Sequence, residues 1–313
     1  MKGRVVVALG GNAILRRGQT GTYPEQLSNV ESACEQIAKI VERGYEVVLT
    51  HGNGPQVGNI VRQNEMSASE IPPLPLDACG AESQGLMGYM IQQCLANSLR
   101  RRGIQKPVVT VITQVMVNEN DPAFTRPSKP IGEFLTEKEA RVVSKKGDFQ
   151  IREERGKGWR RVVPSPAPKL VIESGTIRVL VSEGCIPIAC GGGGIPVCGR
   201  EAQDLRGAEA VIDKDLTAQI LANDIEADTL LILVDVEGVF ARFGAAGQRL
   251  LREVSIAQAE EMLGRGEFAE GSMAPKIEAS VRFLRLGGGL VRVGHLDRAS
   301  EVLAGESGTS IHP

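Results

Sequence analysis

Short β-branched runs alternate with longer helical patterns, and the earliest runs stop at glycine; this constrains the fold more than any other feature of the chain. Val5–Leu9 reads as a buried strand ending at Gly10-Gly11, and Glu46–Thr50 as a second ending at Gly52 and Gly54. A helical stretch from about Pro24 to Arg43 lies between them, with Gly44 as its stop. Gly80–Arg102 is helical up to Gly103, and a strand at Val108–Thr113 follows. Ile186–Ala189, Leu230–Val234 and Leu290–Val293 are later strands, with helices near Asp215–Ala222, Ile256–Leu263 and Pro275–Leu286. Such alternation predicts an α/β fold: a mostly parallel sheet with helices on both faces and ligands beyond the carboxyl ends of the strands.

One segment breaks the rhythm. From about 117 to 168 the chain is rich in charge, Pro and Gly, and it carries the only tryptophan, Trp159. Phe149–Glu153, a turn at Gly156-Lys157-Gly158 and Trp159–Val163 read as a β-hairpin. Its mixed charges suit a solvated surface, and Pro164, Pro166 and Pro168 mark the return. The segment is expected to be an excursion from a single domain spanning 1–313.

With 313 residues, 42% hydrophobic and 24% charged, the chain can build a large core and is not a disordered polymer. A net charge of -2 supplies no global positive field, so neither nucleic acid nor an acidic membrane is an expected partner. Small anions would need individual Lys and Arg residues. The six cysteines form no CxxC pair, and with three histidines no zinc spacing appears, so no metal ligands are assigned. Reduced, mostly buried thiols are expected. The apolar run after Lys2 and Arg4 stops at Gly10, too short for a signal-peptide core, and Leu230–Val234 is far below membrane-spanning length. The expected location is the cytoplasm.

Four glycine turns follow strands or helices: Gly10-Gly11-Asn12, His51-Gly52-Asn53-Gly54, Gly191 through Gly194, and Gly287-Gly288-Gly289. Glycine lets backbone N–H groups close on an anion, and a helix N-terminus adds positive charge there. The first two are expected to open helices at strand ends; the third could be a flexible loop, and the fourth looks like a helix stop. No segment matches G-x-x-x-x-G-K-[ST] or a clean G-x-G-x-x-G after the first strand. A phosphate-handling enzyme would then need separate lysines. Lys214, between Asp213 and Asp215, and Lys276, behind Pro275, both stand at expected helix starts, where the helix dipole disfavours positive charge. An anion between dipole and ammonium would resolve that conflict; a solvated lysine beside a capping aspartate is the plainer reading. Leu230–Val234 followed by Asp235 through Phe240 suggests a nucleotide edge, and His51 is either a ligand contact or, slightly favoured, a satisfied core histidine.

Six strings stand in order: ALGGNA at Ala8–Ala13, HGNGPQVG at His51–Gly58, SKPIG at Ser128–Gly132, CGGGGIPV at Cys190–Val197, VIDKD at Val211–Asp215 and GSMAPK at Gly271–Lys276. Together they resemble the carbamate kinase branch of the amino acid kinase family over essentially the whole chain. The resemblance implies a three-layer αβα sandwich around an open, mainly parallel eight-stranded sheet, a small protruding hairpin subdomain, and a homodimer. It implies reversible phosphoryl transfer between ATP and carbamate, with Mg²⁺ accompanying ATP or ADP, and a place in arginine metabolism. Gly10, Gly11, Asn12, Gly52, Asn53 and Gly54 would hold the carbamoyl or phosphoryl end. Lys214 and Lys276 would flank the transferring group, Asp215 would orient them, and Lys129 would reach over from the subdomain. Asp213, Asp235, Phe240 and Met273 would lie near the nucleotide. Ala274 stands where GSMGPK is more usual, and VDVEGV at 234–239 where TDVDGV is; neither removes a charged group. A related small-anion kinase of the same fold, acting on acetylglutamate or UMP, and a non-catalytic nucleotide sensor are the competing readings.

Overall fold

The computed structural model describes residues 2–16, 18–144, 150–154, 158–200, 203–244, 247–269 and 271–313. Its main sheet contains β1 (Arg4–Leu9), β2 (Glu46–His51), β3 (Val108–Thr110), β9 (Ile186–Ile188), β12 (Thr229–Val234), β15 (Glu253–Ser255), β16 (Leu290–His295) and β17 (Thr309–His312). The order is β15-β17-β16-β12-β1-β2-β9-β3, and every pairing is parallel except β16 with β17. The expected eight-stranded, mainly parallel sheet is present.

Why β1 sits at the centre follows from its sequence. Side chains alternate across a strand, so a run apolar at every position must be covered on both faces. Val5, Val7 and Leu9 pack with α1 (Tyr23–Glu42), α3 (Leu76–Arg101) and α9 (Ala299–Ala304). Val6 and Ala8 point the other way, into a core with α5 (Ser174–Ser182), α6 (Lys214–Asp224), α7 (Ile256–Gly264) and α8 (Ala274–Arg285). The αβα layering is the direct result. α1 begins at a capping box in which Thr22 and Glu25 satisfy each other's backbone N–H groups.

Beyond the main sheet, β4 (Gln114–Val117), β8 (Pro168–Val171), β10 (Ile195–Arg200) and β11 (Gln203–Gly207) form a four-stranded sheet. β13 (Phe240–Ala241) pairs with β14 (Arg249–Leu250). Within 117–168, β5 (Lys129–Leu135), β6 (Gln150–Glu154) and β7 (Gly158–Val163) form a three-stranded sheet in the order β5-β7-β6, with α4 (Glu137–Ser144) beside it. It packs on α2 (Gly54–Ser67). The hairpin expected there is β6 with β7; Phe149, Gly156 and Lys157 of that expectation lie outside the described residues.

Three expectations need correction. The strand expected at Val108–Thr113 stops at Thr110, because Gln84 clamps Thr113 by both its N–H and its carbonyl and bends the chain into a second sheet at Gln114. The first glycine turn opens only a short 3₁₀ turn at Gly11–Ala13, and α1 starts ten residues later. The third glycine run is a buried 3₁₀ turn, not a loose loop. Among the described residues no helix is long and apolar enough to cross a membrane.

Candidate active site

Beside β1 the strand order reverses, with β2 on one side and β12 on the other. Connections leaving in opposite directions open a crevice past the strand ends. The two early glycine turns meet there. Gly52 N–H bonds to Leu9 O at 3.1 Å, and a Cβ on Gly52 would lie 3.4 Å from Gly11 N and 3.5 Å from Lys214 Cδ. The stem of Lys214 therefore runs past the second turn, which itself meets the first. Asn12 lies in the first turn, and Gly54 opens α2 with Pro55 in its first turn.

Asn53 is 4% exposed and donates to Ser83 Oγ at 2.7 Å. The Gly191–Gly193 turn presses against it. Gly192 has φ +67°, and any Cβ there would collide with the Asn53 amide, so glycine is required both for the conformation and for the approach. Gln84 donates to Gly191 O at 3.0 Å and Thr217 Oγ1 to Gly193 O at 2.9 Å, tying the turn to α3 and α6.

The charged groups gather at the start of α6. Lys214 Nζ lies 2.5 Å from Asp215 Oδ1, and Lys276 Nζ lies 3.1 Å from Asp215 Oδ2. Lys276 also donates to Ser272 O at 2.9 Å. Asp213 caps α6, with Oδ1 accepting Asp215 N–H at 2.9 Å, while its Oδ2 takes Lys129 Nζ at 2.6 Å. Two carboxylates thus face three ammonium groups at one helix N-terminus, which is also where a helix favours negative charge.

Burial opposes every charge in this cluster, and its balance against the partners sets each outcome. Asp215 is 2% exposed; burial would raise its pKa, yet Lys214 and Lys276 hold it far below the carboxylate range. Asp213 is likewise pushed up by burial but held down overall, chiefly by Lys129. Lys214, 8% exposed, is lowered because burial outweighs the help of Asp215. For Lys276 the carboxylates, Asp215 foremost, overcome burial and raise it. His51 is 1% exposed, and burial lowers it to about 4, so its ring is neutral; this matches the core reading.

Of the residues expected at the site, Lys129 with Asp213 and Lys214 with Asp215 and Lys276 form two ion-pair groups, joined where Asp213 caps the Asp215 N–H, with Gly52 against Lys214. Gly10 bonds to Leu233 O at the end of β12. Asp235 is exposed just past β12 and within electrostatic reach of Lys276. Met273 precedes α8 and packs on the core. Phe240 starts β13, its ring 5.8 Å from that of Phe243. The structure adds Ser83, Gln84, Thr217 and Arg160, whose Nη2 would lie 3.8 Å from a Cβ on Gly54, to the surroundings of the site. No motif announced them; buried polar residues on α3 look like a solvent face until the packing is known.

Known proteins resemble this chain over its full length. The amino acid kinase family model matches residues 3–295. Carbamate kinase of Pyrococcus horikoshii is 50% identical over 315 residues, covering 100% of both chains. Carbamate kinase from Giardia lamblia bound to citric acid superposes with a TM-score of 0.94 at 42% identity, over 99% of this chain and 98% of that one. The same enzyme bound to AMP-PNP gives 0.89, with the same identity and coverage. By sequence, by fold and by full-length relatives, the chain belongs to the amino acid kinase family, on its carbamate kinase branch.

Proposed function

We propose that this protein is a carbamate kinase, which moves a phosphoryl group between carbamoyl phosphate and ADP. The observation that carries the reading is the placement of Lys214 and Lys276 on opposite oxygens of Asp215, beside two glycine turns at the strand ends. Full-length relatives named carbamate kinase, one of them bound to an ATP analogue, support it.

Both nucleophiles of this reaction are anions, so no general base is required. In the ATP-forming direction a β-phosphate oxygen of ADP attacks phosphorus, the P–O bond to the carbamoyl group breaks, and carbamate leaves with the bonding pair. The barrier is repulsion among crowded oxygens. Fixed ammonium groups stabilise the charge as it moves between the attacking and leaving oxygens. Lys214 and Lys276 take that role, and Asp215 holds both in place. The two glycine turns, Gly10-Gly11-Asn12 and Gly52-Asn53-Gly54, receive the carbamoyl phosphate end; the N–H groups of Gly10 and Gly52 hold the turns to Leu233 and Leu9, which leaves those of Gly11 and Gly54 for the anion. Lys129 closes on it from the 117–168 subdomain of the single 1–313 domain. Asp235, Phe240 and Met273 border the nucleotide.

Mg²⁺ enters as part of the nucleotide substrate. Mg²⁺ commonly keeps several waters and is bound through substrate phosphates and one or two carboxylates. ATP formation is the direction we assign, within arginine breakdown in the cytoplasm. A homodimer is part of the same reading, supported by the exposed apolar Leu86, Tyr89 and Ile112 beside the β3 edge of the sheet. Sedimentation at twice 33.5 kDa would bear it out. The function is tested by offering carbamoyl phosphate, acetylglutamate and UMP in parallel coupled assays. Turnover confined to carbamoyl phosphate is expected; preference for either other substrate, or nucleotide binding without turnover, contradicts the reading.

A further inference from the structure

The three-stranded insert sheet meets the rest of the molecule on two sides. On one it rests on α2, the helix that starts at the second glycine turn. There Gly58 and Gly132 approach so closely that a Cβ on Gly58 would collide with Gly132 backbone. Arg161 pairs with Glu65 at 2.5 Å along the same contact, and Arg62 with Glu133 at 3.7 Å. On the other side, Lys129 of β5 reaches Asp213 at the N-terminus of α6 at 2.6 Å, across 84 residues of sequence. These two side chains are only 26% and 15% exposed, so water screens them weakly.

We infer that Asp213 is a positioning residue: its carboxylate fixes the insert's Lys129 over the start of α6, next to Lys214 and Asp215. This rests on the proposed role of Lys129 toward carbamoyl phosphate, and it gives Asp213 a task other than nucleotide contact. The two oxygens divide the work. Oδ1 caps α6, and Oδ2 holds the ammonium. A long lysine side chain carries several free rotors, and a charge-assisted partner of fixed position removes that freedom before substrate arrives. Since the insert is already seated on α2, the pair joins the two walls of the crevice.

Asp213→Asn separates the two tasks. An asparagine oxygen still caps the helix, whereas its amide cannot hold an ammonium group. Asp213→Ser is the second variant, because serine also caps yet is too short to reach Lys129. Steady-state kinetics would be compared for wild type, both variants, Lys129→Ala and the Lys129→Ala/Asp213→Asn double variant, with ADP affinity measured by calorimetry. The expected result is a KM for carbamoyl phosphate raised about tenfold in D213N and D213S, with ADP affinity within about twofold of wild type. The double variant should be no worse than K129A alone, because Asp213 acts through the lysine. Additive losses, weakened ADP binding, or wild-type kinetics in D213N would overturn the assignment. A K129A enzyme with unchanged KM and kcat removes the role of Lys129 itself, and this inference with it, which distinguishes that failure from the others.

Discussion

Lys276 reaches back across 61 residues of sequence to Asp215 and takes the carboxylate oxygen that Lys214 leaves open. One buried aspartate therefore sets the spacing of two ammonium groups on different helices. Lys214 comes from the first turn of α6 and Lys276 from that of α8. A phosphate-binding loop with its own lysine gathers such charge in one segment; here the fold gathers it from two.

Replacing either lysine by alanine should leave the fold intact and lower kcat by about 10²–10³, the scale of losing one preorganised electrostatic donor. Each variant retains one ammonium on Asp215, so the carboxylate is not stranded. Circular dichroism checks the fold and ATP formation the rate; near wild-type turnover in either variant removes that lysine from the mechanism.

Asp215→Asn should act on both lysines together. The carboxylate is what opposes the burial that lowers Lys214. A lysine lowered below its ordinary 10.5 loses its charge sooner as pH rises, so activity should fall on the alkaline side before that value. In D215N the fall should move to still lower pH. A pH–rate profile with an unmoved alkaline limb contradicts the role of Asp215.

Acid sensitivity should begin with His51. Its folded value of about 4 lies below the ordinary 6.5, so between those values the unfolded chain binds the extra proton and stability falls as pH falls. The loss from this residue approaches roughly 3 kcal/mol once pH is below 4. Glu35 adds a second stage: Arg101, Ser98 and Arg102 lower it from 4.5 to about 2, so its contribution is present above 4.5 and vanishes as pH drops through about 2. Urea denaturation across pH should show a shallower slope between 6.5 and 4 in His51→Gln, and an unchanged slope would refute the assignment.

Gly192→Ala should destabilise the protein by at least about 1–2 kcal/mol, the cost of a side chain in the left-handed region. The new methyl also displaces Asn53 from Ser83. Equilibrium denaturation measures the loss, and a rise in KM for carbamoyl phosphate should accompany it. A variant as stable as wild type would show that the turn relaxes freely.

The strand–helix alternation and the glycine stops were readable because each rests on local chemistry: β-branched runs favour strands, and glycine permits tight turns. Lys214 and Lys276 stood out because a lysine at a helix start is locally unfavourable. Long-range pairing left no such mark. Nothing near Lys129 points to Asp213, and Ser83 and Gln84 on α3 pass for solvent-facing residues until a buried turn is packed against them. The strand at Val108 ends earlier than its sequence predicts for the same reason. Its β-branched run continues to Thr113, but the Gln84 amide that bends it comes from another element.

The account stands most directly on ATP formed from ADP and carbamoyl phosphate in the presence of Mg²⁺, measured for the wild type and for Lys276→Ala at matched ADP saturation. Rapid ATP formation by the wild type, with a drop of about 10²–10³ in a folded, ADP-binding variant, is the predicted result. No ATP from the wild type, or an undiminished rate without Lys276, would contradict it.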